Sequence, residues 1–441
     1  MAIAESRKGS RLHHSNESEV KGPALLVRAL RSRNYRLFFM GQSVSQIGNW
    51  MQMVATSWLV YRLTGSPFYL GLVAFSSQIP AFIFSPLAGV LLDRWNRRRI
   101  LIVTQTLMMI QAYVLAFLTL SGLITVWEII TLNVVMGLIT AFDMPGRQSF
   151  VYDIVERKED LGNAIALNSS LFNAARMLGP SIAGIIVARV GEGMCFLVNA
   201  LSFTAILAAL LAIRTFSAVK KGERTFLLSA LKEGFSYVFG FLPIKSLLSL
   251  IFLTSLMGVP AVVLMPIFSS TILHGGPETL GFLLGASGVG ALAGGFFLAS
   301  RRSVLGFGRI IVVATLLYGG GIVAFALSRH LWLSLILIMI TGFGMMVQFA
   351  SCNTLIQTVV DEDKRGRTMS LYTTSFMGAS PIGALIAGGL ATIIGAPLTV
   401  LLGGSFCIAG ALAFAQKLPV LRETLFPVYK RLGIMPEGIG K

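Results

Sequence analysis

Residues 67–99 read PFYLGLVAFSSQIPAFIFSPLAGVLLDRWNRRR, a long apolar run followed by a short basic link. The first part, 67–92, contains no charged side chain. About 20 apolar residues suffice to cross the roughly 30 Å hydrocarbon core as an α-helix, which satisfies its own backbone hydrogen bonds. About a dozen runs of this kind occur along the 441 residues. The pattern predicts a protein that crosses a membrane many times, with its functional site inside a helical bundle.

The apolar runs predict twelve membrane helices in two sets of six. The first set is expected at 37–60, 68–92, 100–122, 126–146, 163–188 and 194–213. The second set is expected at 246–272, 279–299, 309–328, 331–354, 371–394 and 397–416. The fold class is therefore an all-α integral membrane protein with two pseudo-symmetric six-helix bundles. The expected domains are an N-terminal tail at 1–34, a bundle at 35–213, a linker at 214–245, a bundle at 246–418 and a C-terminal tail at 419–441.

Composition excludes a soluble protein, because 55% of the residues are hydrophobic and only 12% are charged. The net charge of +17 does not indicate nucleic-acid binding, since the basic residues lie in the links between apolar runs. Of the 36 Lys and Arg residues, 31 fall on the side of the amino terminus, and only Arg62, Arg189 and Arg329 fall in the opposite loops. This asymmetry predicts that both termini and the linker are cytoplasmic, in a multi-pass protein of the cytoplasmic (inner) membrane.

The N-terminal tail and the linker carry further signals. Residues 1–34 lack the apolar stretch of a cleaved secretion signal, so the first membrane helix is expected to direct insertion. In the linker, apolar residues recur near helical spacing between Phe226 and Val238. That spacing indicates an amphipathic helix on the membrane face, with a simple tether as the alternative.

The two halves resemble each other in sequence. Leu70-Gly71 opens the second helix as Leu280-Gly281 opens the eighth. Ile154-Val155-Glu156 follows the fourth helix as Val359-Val360-Asp361 follows the tenth. An offset of about 205 to 210 residues fits a duplicated six-helix unit, in which two repeats rock about a central site.

The link after the second helix resembles the cytoplasmic loop motif of the major facilitator superfamily. It has a glycine, an aspartate four residues later, and then a basic run; the motif residues are Gly89, Asp93, Arg94, Arg97 and Arg98. The resemblance implies that Asp93 pairs with basic groups to hold the cytoplasmic gate in one state, and that Gly89 permits close helix contact. A carboxylate of this kind biases a two-state equilibrium. Alternatively, the arginines are only positive-inside anchors.

The fifth helix resembles the Gly-Pro motif of the superfamily's antiporters at Gly179, Pro180 and Gly184, which implies export. A proline bends the helix and the glycines allow a second helix to approach closely, although the same residues also suit packing alone. Arg176 is a cation well inside this span, without an evident partner. It is a candidate for substrate binding or coupling, and a structural arginine held by backbone carbonyls is the alternative.

Polar side chains mark candidate walls of a substrate cavity. In the first helix, Gln42, Ser45, Gln46, Asn49 and Gln52 share one face, which should line the central cavity or pack on a neighbouring helix. Uncharged amides beside adaptable thioethers suit an amphipathic organic molecule. The cavity candidates are Gln42, Gln46, Asn49, Gln78, Asn133, Gln348 and Asn353, with Asn199, Met257, Met265, Met345, Met346, Phe343 and Phe349 beside them.

Two charge clusters are expected near the cytoplasmic ends of the fourth and tenth helices. They contain Asp143 and Arg147 in the first half and Asp361, Arg365 and Arg367 in the second. Together with Asn34-Tyr35-Arg36 before the first helix and Gly65-Ser66-Pro67 after it, these sites resemble the branch of enterobactin exporters and macrolide efflux proteins. Asn133 stands where proton-coupled drug exporters of the superfamily commonly have arginine.

The sequence predicts a secondary active transporter, a proton-coupled exporter of an amphipathic siderophore-like or drug-like molecule that works by alternating access. A lipid or lysophospholipid flippase of the same fold is the alternative. A membrane enzyme is disfavoured, because the four His residues lie outside the spans and the acidic residues lie at their edges. Direct drive by ATP is not supported, since no phosphate-binding loop motif occurs. Cys195, Cys352 and Cys407 have no metal-type spacing. The expected partners are the lipid bilayer, a small-molecule substrate and a coupling proton, with no cofactor, metal or nucleic acid, and the expected state is a monomer.

Overall fold

The computed structural model describes residues 27–92, 95–213, 240–301 and 303–433 of the chain. Throughout these ranges the regular secondary structure is helical. The first half contains α1 Arg33–Thr64, α2 Pro67–Leu92, α3 Arg97–Leu120, α4 Val126–Ile154, α5 Leu161–Val190 and α6 Glu192–Ala212. Short 3₁₀ turns at Arg28–Arg31 and Lys158–Asp160 precede α1 and α5.

The second half repeats this layout with two interrupted helices. α7 comprises Leu242–Met257, Pro260–Val263, Met265–Ile267 and a π-helical turn at Phe268–Ile272. It is followed by α8 Pro277–Ala299, α9 Phe307–Leu327 and α10 Leu331–Val359. α11 comprises Glu362–Thr373, a π-helical turn at Thr374–Gly378 and Ala379–Ile394, and α12 is Ala396–Arg431.

Length and apolarity make these helices membrane-spanning. Within the described ranges, 11 helices meet both requirements, and α1 falls short in hydropathy because of its polar face. With 32 residues α1 is still long enough to cross the hydrocarbon core. The predicted all-α membrane fold is confirmed.

The bundle has two ends, which we call the basic face and the opposite face. The basic face carries the links α2–α3, α4–α5, α8–α9 and α10–α11; the opposite face carries the links α1–α2, α3–α4, α5–α6, α7–α8, α9–α10 and α11–α12. Arg98 at the start of α3 donates to the carbonyl oxygens of Leu210 and Leu211 at the end of α6, at 2.7 and 2.9 Å. Both helix ends therefore lie at the basic face.

Pseudo-symmetry is visible in the packing of equivalent glycines. Gly137 of α4 lies against the Ser77 carbonyl of α2, and Gly342 of α10 lies against the Ser287 carbonyl of α8, each so closely that no β-carbon fits. The glycines are 205 residues apart and the serines 210, which matches the offset found in the sequence. The same crossing therefore occurs once in each six-helix bundle.

Several helices run further than hydropathy predicts. α4 was expected to end at 146 but continues to Ile154 through Pro145, because neighbouring helices in a membrane bundle satisfy the carbonyl that a proline leaves free. α12 continues to Arg431, beyond the expected end at 416. α7 begins at Leu242, inside the expected linker. The expected amphipathic helix between Phe226 and Val238 lies outside the described residues.

Candidate functional site

A contact between α5 and α8 joins the two halves on the side of the opposite face. A β-carbon at Gly184 would lie 2.7 Å from the Pro277 carbonyl oxygen and 3.1 Å from the Gly281 Cα. A β-carbon at Gly281 would lie 2.5 Å from the Pro180 carbonyl oxygen. The Gly-Pro motif of α5 thus forms a backbone-to-backbone contact with the other half.

An equivalent contact joins α2 and α11. A β-carbon at Gly388 would lie 2.8 Å from the Pro67 carbonyl oxygen and 3.0 Å from the Gly71 Cα. Gly71 in turn lies against the carbonyl of Ala384. Gly71 and Gly281 are the two glycines of the sequence echo between the halves. We call the pairs Gly71–Gly388 and Gly184–Gly281 the twin glycine seams; they close the bundle at the opposite face.

Towards the basic face the two halves separate. On α5, Pro180 contacts the second half, but Ser169, three turns closer to the basic face on the same side, is exposed. On α2, Phe82 touches Gly378 of α11, whereas a β-carbon at Gly89 would have no described atom within 4 Å. The expectation that Gly89 makes a close helix contact is therefore not met in this conformation, because the helices at this end are apart.

The gate motif is described only in part, since Asp93 and Arg94 lie outside the described residues. Arg97 pairs with Asp153 at the end of α4, with its Nη1 2.8 Å from the carboxylate. Arg98 donates hydrogen bonds to carbonyl oxygens at the end of α6, as given above. Both contacts fasten helices of the first half to one another, and neither reaches the second half.

Arg176 lies at the inner end of the α5–α8 seam. It is 14 residues from the end of α5, or about 21 Å along a helix of about 45 Å, and so near mid-depth. Its Nη2 is 3.5 Å from Ser287 Oγ of α8 and 4.0 Å from Met345 Sδ of α10. Its guanidinium carbon is 6.0 Å from the Trp50 ring centre of α1. Helices of both halves thus meet at this cation.

Aromatic side chains that the sequence did not single out surround Arg176. Trp50 stacks edge-on against Phe172 with ring centres 5.6 Å apart. Tyr318 of α9 is buried, and its hydroxyl has no hydrogen-bond partner among the described residues. Its backbone packs against Gly344 of α10, next to Met345, which contacts Arg176. Phe172 precedes Arg176 by four residues and could have been found from helical periodicity. Tyr318 could not, because it belongs to the other half.

Asp143 is the centre of a buried polar cluster in the first half. Its Oδ1 accepts hydrogen bonds from Thr104 Oγ1 at 2.9 Å and Gln105 Nε2 at 2.7 Å. Its Oδ2 lies 2.7 Å from Arg147 Nε, an ion pair whose N–H is poorly aligned with the oxygen. Arg147 Nη1 also donates to Gln46 Oε1 at 3.1 Å. Asp143 was expected near the end of the fourth helix, but it is fully buried inside the bundle, because α4 continues to Ile154.

The polar face of α1 is paired mainly with helices of its own half. Gln52 donates to Gln111 Oε1 at 3.0 Å and accepts from Asn199 Nδ2 at 2.7 Å. Gln42 donates to Gln46 at 3.3 Å. Of the two expectations for this face, packing on neighbouring helices is the one that Gln52 meets, because amides on α3 and α6 complete its hydrogen bonds. Asn49 keeps a buried carbonyl oxygen without a partner among the described residues.

The other candidates are scattered. Gln78 and Asn133 donate to carbonyl oxygens of their own helices, Ala74 at 3.4 Å and Ile129 at 2.8 Å. Gln348 is buried and donates to Thr254 of α7 at 2.8 Å, and the remaining candidate, Asn353, accepts from Gln357. None of these contacts crosses between the halves.

The charge cluster after α10 also stays within its half. Asp361 pairs with Arg431 Nη2 of α12 at 2.9 Å. Arg365 has a buried Nε without a hydrogen-bond partner among the described residues, and Arg367 follows two residues later, after Gly366. A cavity of about 470 Å³ lies nearby, lined by α7, α9, α10 and α12, away from Arg176.

A family model described as transmembrane secretion effector matches residues 27–430. The chain belongs to this family of the major facilitator superfamily. Similar proteins include the staphyloferrin A transporter of Staphylococcus aureus, 24% identical over 87% of this transporter and 96% of that protein. The multidrug efflux pump Tap of Mycolicibacterium fortuitum is 26% identical over 85% and 93%. Macrolide efflux protein A of Streptococcus pyogenes is 24% identical over 85% and 95%.

Solved structures agree on the fold. A peptide transporter POT aligns with a TM-score of 0.72 at 12% identity, covering 89% of this transporter and 96% of that chain. The nucleoside transporter NupG aligns with a TM-score of 0.70 at 14% identity, covering 87% and 99%. The resemblance to the superfamily and its efflux branch is confirmed, and so is the prediction of a multi-pass membrane transporter that is not an enzyme.

Proposed function

We propose that this protein is a proton-coupled exporter of an amphipathic organic small molecule, working by alternating access in the cytoplasmic membrane. The observation that carries the proposal is the combination of twin glycine seams at one face with separated helices at the other. Two pseudo-symmetric halves in this state leave the bundle open to cargo on one side of the membrane. When the halves rotate against each other about mid-depth, that side closes and the other side opens. Relatives named as siderophore, multidrug and macrolide transporters support an organic cargo.

The charge of the links supports the orientation that this proposal needs. Most Lys and Arg residues of the described ranges lie at the basic face, and basic links stay in the cytoplasm. The conformation described above is then the inward-open state, in which cargo enters from the cytoplasm.

Cysteine labelling tests this orientation. The native cysteines are buried, so they give little background. We expect Cys at Ser121, in the α3–α4 link, to react with a membrane-impermeant maleimide in intact cells, and Cys at Ser303, in the α8–α9 link, to react only after permeabilisation. Both serines are exposed. The reverse pattern would contradict cytoplasmic termini and an exporter in this state.

Asp143 is the candidate for proton coupling. A buried carboxylate with a nearby arginine exchanges a proton at the cost of an ion pair, which couples its protonation to the position of that arginine. The pseudo-symmetric position, 205 residues later, is Gln348, which is neutral and hydrogen-bonded to Thr254. Protonation of Asp143 would free Arg147, whose side chain is 22% exposed, while Thr104 and Gln105 continue to hold the acid.

Transport into inside-out vesicles tests the function as a whole. We expect an imposed pH gradient, acidic inside, to drive uptake of at least one amphipathic compound from a panel of siderophores, macrolides and labelled lysophospholipids. A protonophore should abolish the accumulation. Movement of lysophospholipid alone, without dependence on the gradient, would favour the flippase alternative. Absence of any gradient-dependent uptake by well-folded protein would contradict the proposal.

A further inference from the structure

Arg176 is partly exposed, and among the described residues its guanidinium has only weak polar contacts. Among the described residues its polar contacts are a long hydrogen bond to Ser287 Oγ and a contact with Met345 Sδ, at 3.5 and 4.0 Å. No carboxylate of the described chain lies within ion-pair distance of it. A cation held in the low dielectric of a membrane protein is costly without an anionic partner or water.

Other arginines of the same protein lie closer to acceptors than Arg176 does. Arg62 and Arg147 each lie 2.7 Å from a carboxylate oxygen, of Glu192 and Asp143 respectively. Arg98 donates to two backbone carbonyl oxygens at the end of α6. Arg176 has neither arrangement, so the structural role that the sequence allowed, an arginine held by backbone carbonyls, is absent from its described contacts.

A second group with unused hydrogen-bonding capacity lies on α9, which packs against α10 next to Met345, a contact of Arg176. Among the described residues the buried Tyr318 hydroxyl has no hydrogen-bond partner, and it faces the break in α7, where a β-carbon at Gly258 would lie 2.6 Å from it. Buried hydroxyls are normally hydrogen-bonded, so an unpaired one points to an absent acceptor. Guanidinium and hydroxyl groups whose donors no described group fully satisfies are the kinds of donor that an oxyanion accepts from.

We infer that Arg176 and Tyr318 form the recognition site for an anionic group of the cargo, and that the cargo is an organic anion with an aromatic or apolar body. The body would lie against Trp50 and the exposed ring of Phe172, on the side of the gap towards the basic face. This inference rests on the proposed function and adds the charge of its substrate.

The position of the site connects anion binding to the conformational change. Arg176 belongs to the first half, whereas Ser287, Tyr318 and Met345 belong to the second. An anion held between them lowers the cost of bringing the two halves together around mid-depth. Anionic cargo therefore favours closure at the basic face, whereas Arg176 without a bound anion disfavours it.

Binding of matched probes tests this inference. Purified protein in nanodiscs is titrated with 4-tert-butylbenzoate, its uncharged amide and 4-tert-butylbenzylammonium, by equilibrium dialysis at constant ionic strength. We expect the carboxylate to bind at least about tenfold more tightly than the amide, because charge-assisted hydrogen bonds to a guanidinium are strong. The ammonium should bind most weakly.

Variants assign the discrimination to the site. Arg176→Gln should make carboxylate and amide bind equally, and Arg176→Lys should retain part of the preference because the charge remains. Tyr318→Phe should weaken the carboxylate and leave the amide unchanged. Thermal stability of each variant is measured beside binding, and Arg176→Gln is expected to be no less stable than the wild type.

Three results would overturn the inference: equal binding of carboxylate and amide by the wild type, discrimination that survives in Arg176→Gln, or failure of both probes to bind. The titrations are repeated in chloride buffer and in gluconate buffer. If the preference for the carboxylate over the amide is lost in chloride and kept in gluconate, the site holds an inorganic anion and not cargo. Gradient-driven transport that carboxylates do not inhibit would refute anion recognition and leave the exporter proposal intact. Selective carboxylate binding without transport would support anion recognition and contradict the exporter proposal.

Discussion

Replacing Gly388 with valine is expected to reduce transport at least about tenfold and to open the transporter towards the opposite face. The new β-carbon would lie 2.8 Å from the Pro67 carbonyl oxygen and 3.0 Å from the Gly71 Cα, so α2 and α11 must separate. Overpacking of this kind costs about 1–3 kcal/mol, which corresponds to roughly 5- to 150-fold in the population of the closed seam. The seam lies between the halves, so each bundle keeps its own core and the protein should remain folded.

Gly389 supplies a matched control for this experiment. It is the next residue of α11, and a β-carbon there would have no described atom within 4 Å, so Gly389→Val should transport normally. Opening is measured with Cys at Ser181, beside the other seam, as reactivity towards an impermeant maleimide in intact cells. Gly388→Val should raise this reactivity and Gly389→Val should not. Equal transport and labelling by the two valine variants would show that the seam does not control access.

Replacing Asp143 with asparagine is expected to abolish the accumulation of cargo driven by a pH gradient. Asparagine still accepts hydrogen bonds from Thr104 and Gln105 but can neither bind the coupling proton nor neutralise Arg147. Removing one partner of a buried ion pair costs on the order of 3 kcal/mol, so the single variant should also be less stable. Accumulation is measured in the inside-out vesicles described above, and stability by thermal unfolding.

The double variant Asp143→Asn with Arg147→Gln separates coupling from folding. It removes both charges, so its stability should return towards that of the wild type. Downhill movement of cargo should persist, because the seams and Arg176 are unchanged, while the pH gradient should have no effect. Gradient-driven accumulation by the double variant would place proton coupling elsewhere in the protein.

The fold could be predicted from the sequence because each helix must satisfy its backbone within the membrane. Hydropathy placed the ends of α4 and α12 too early. It reports where the chain leaves the hydrocarbon and not where the helical backbone hydrogen bonds stop. The Leu-Gly pair that recurs at Gly71 and Gly281 was informative because close helix crossings require glycine at defined positions.

The site was less accessible to prediction. Arg176 was identified as a functional candidate because an intramembrane charge is costly wherever it lies. Its neighbours Ser287, Tyr318 and Met345 come from helices more than a hundred residues away in the chain, and no local period reports such contacts. The polar face of α1 was recognised for the same reason as Arg176, but periodicity gives the direction of a face and not its partners, so it could not show that Gln52 pairs with α3 and α6.

The twin glycine seams also bear on how cargo specificity can diverge. Closure at the opposite face rests on main-chain atoms, whereas the aromatic rings and the arginine at mid-depth are side chains that make no part of that closure. Natural selection can therefore exchange the lining residues, and with them the compound carried, without redesigning the moving parts. A lineage with such an architecture can acquire new export tasks by few substitutions.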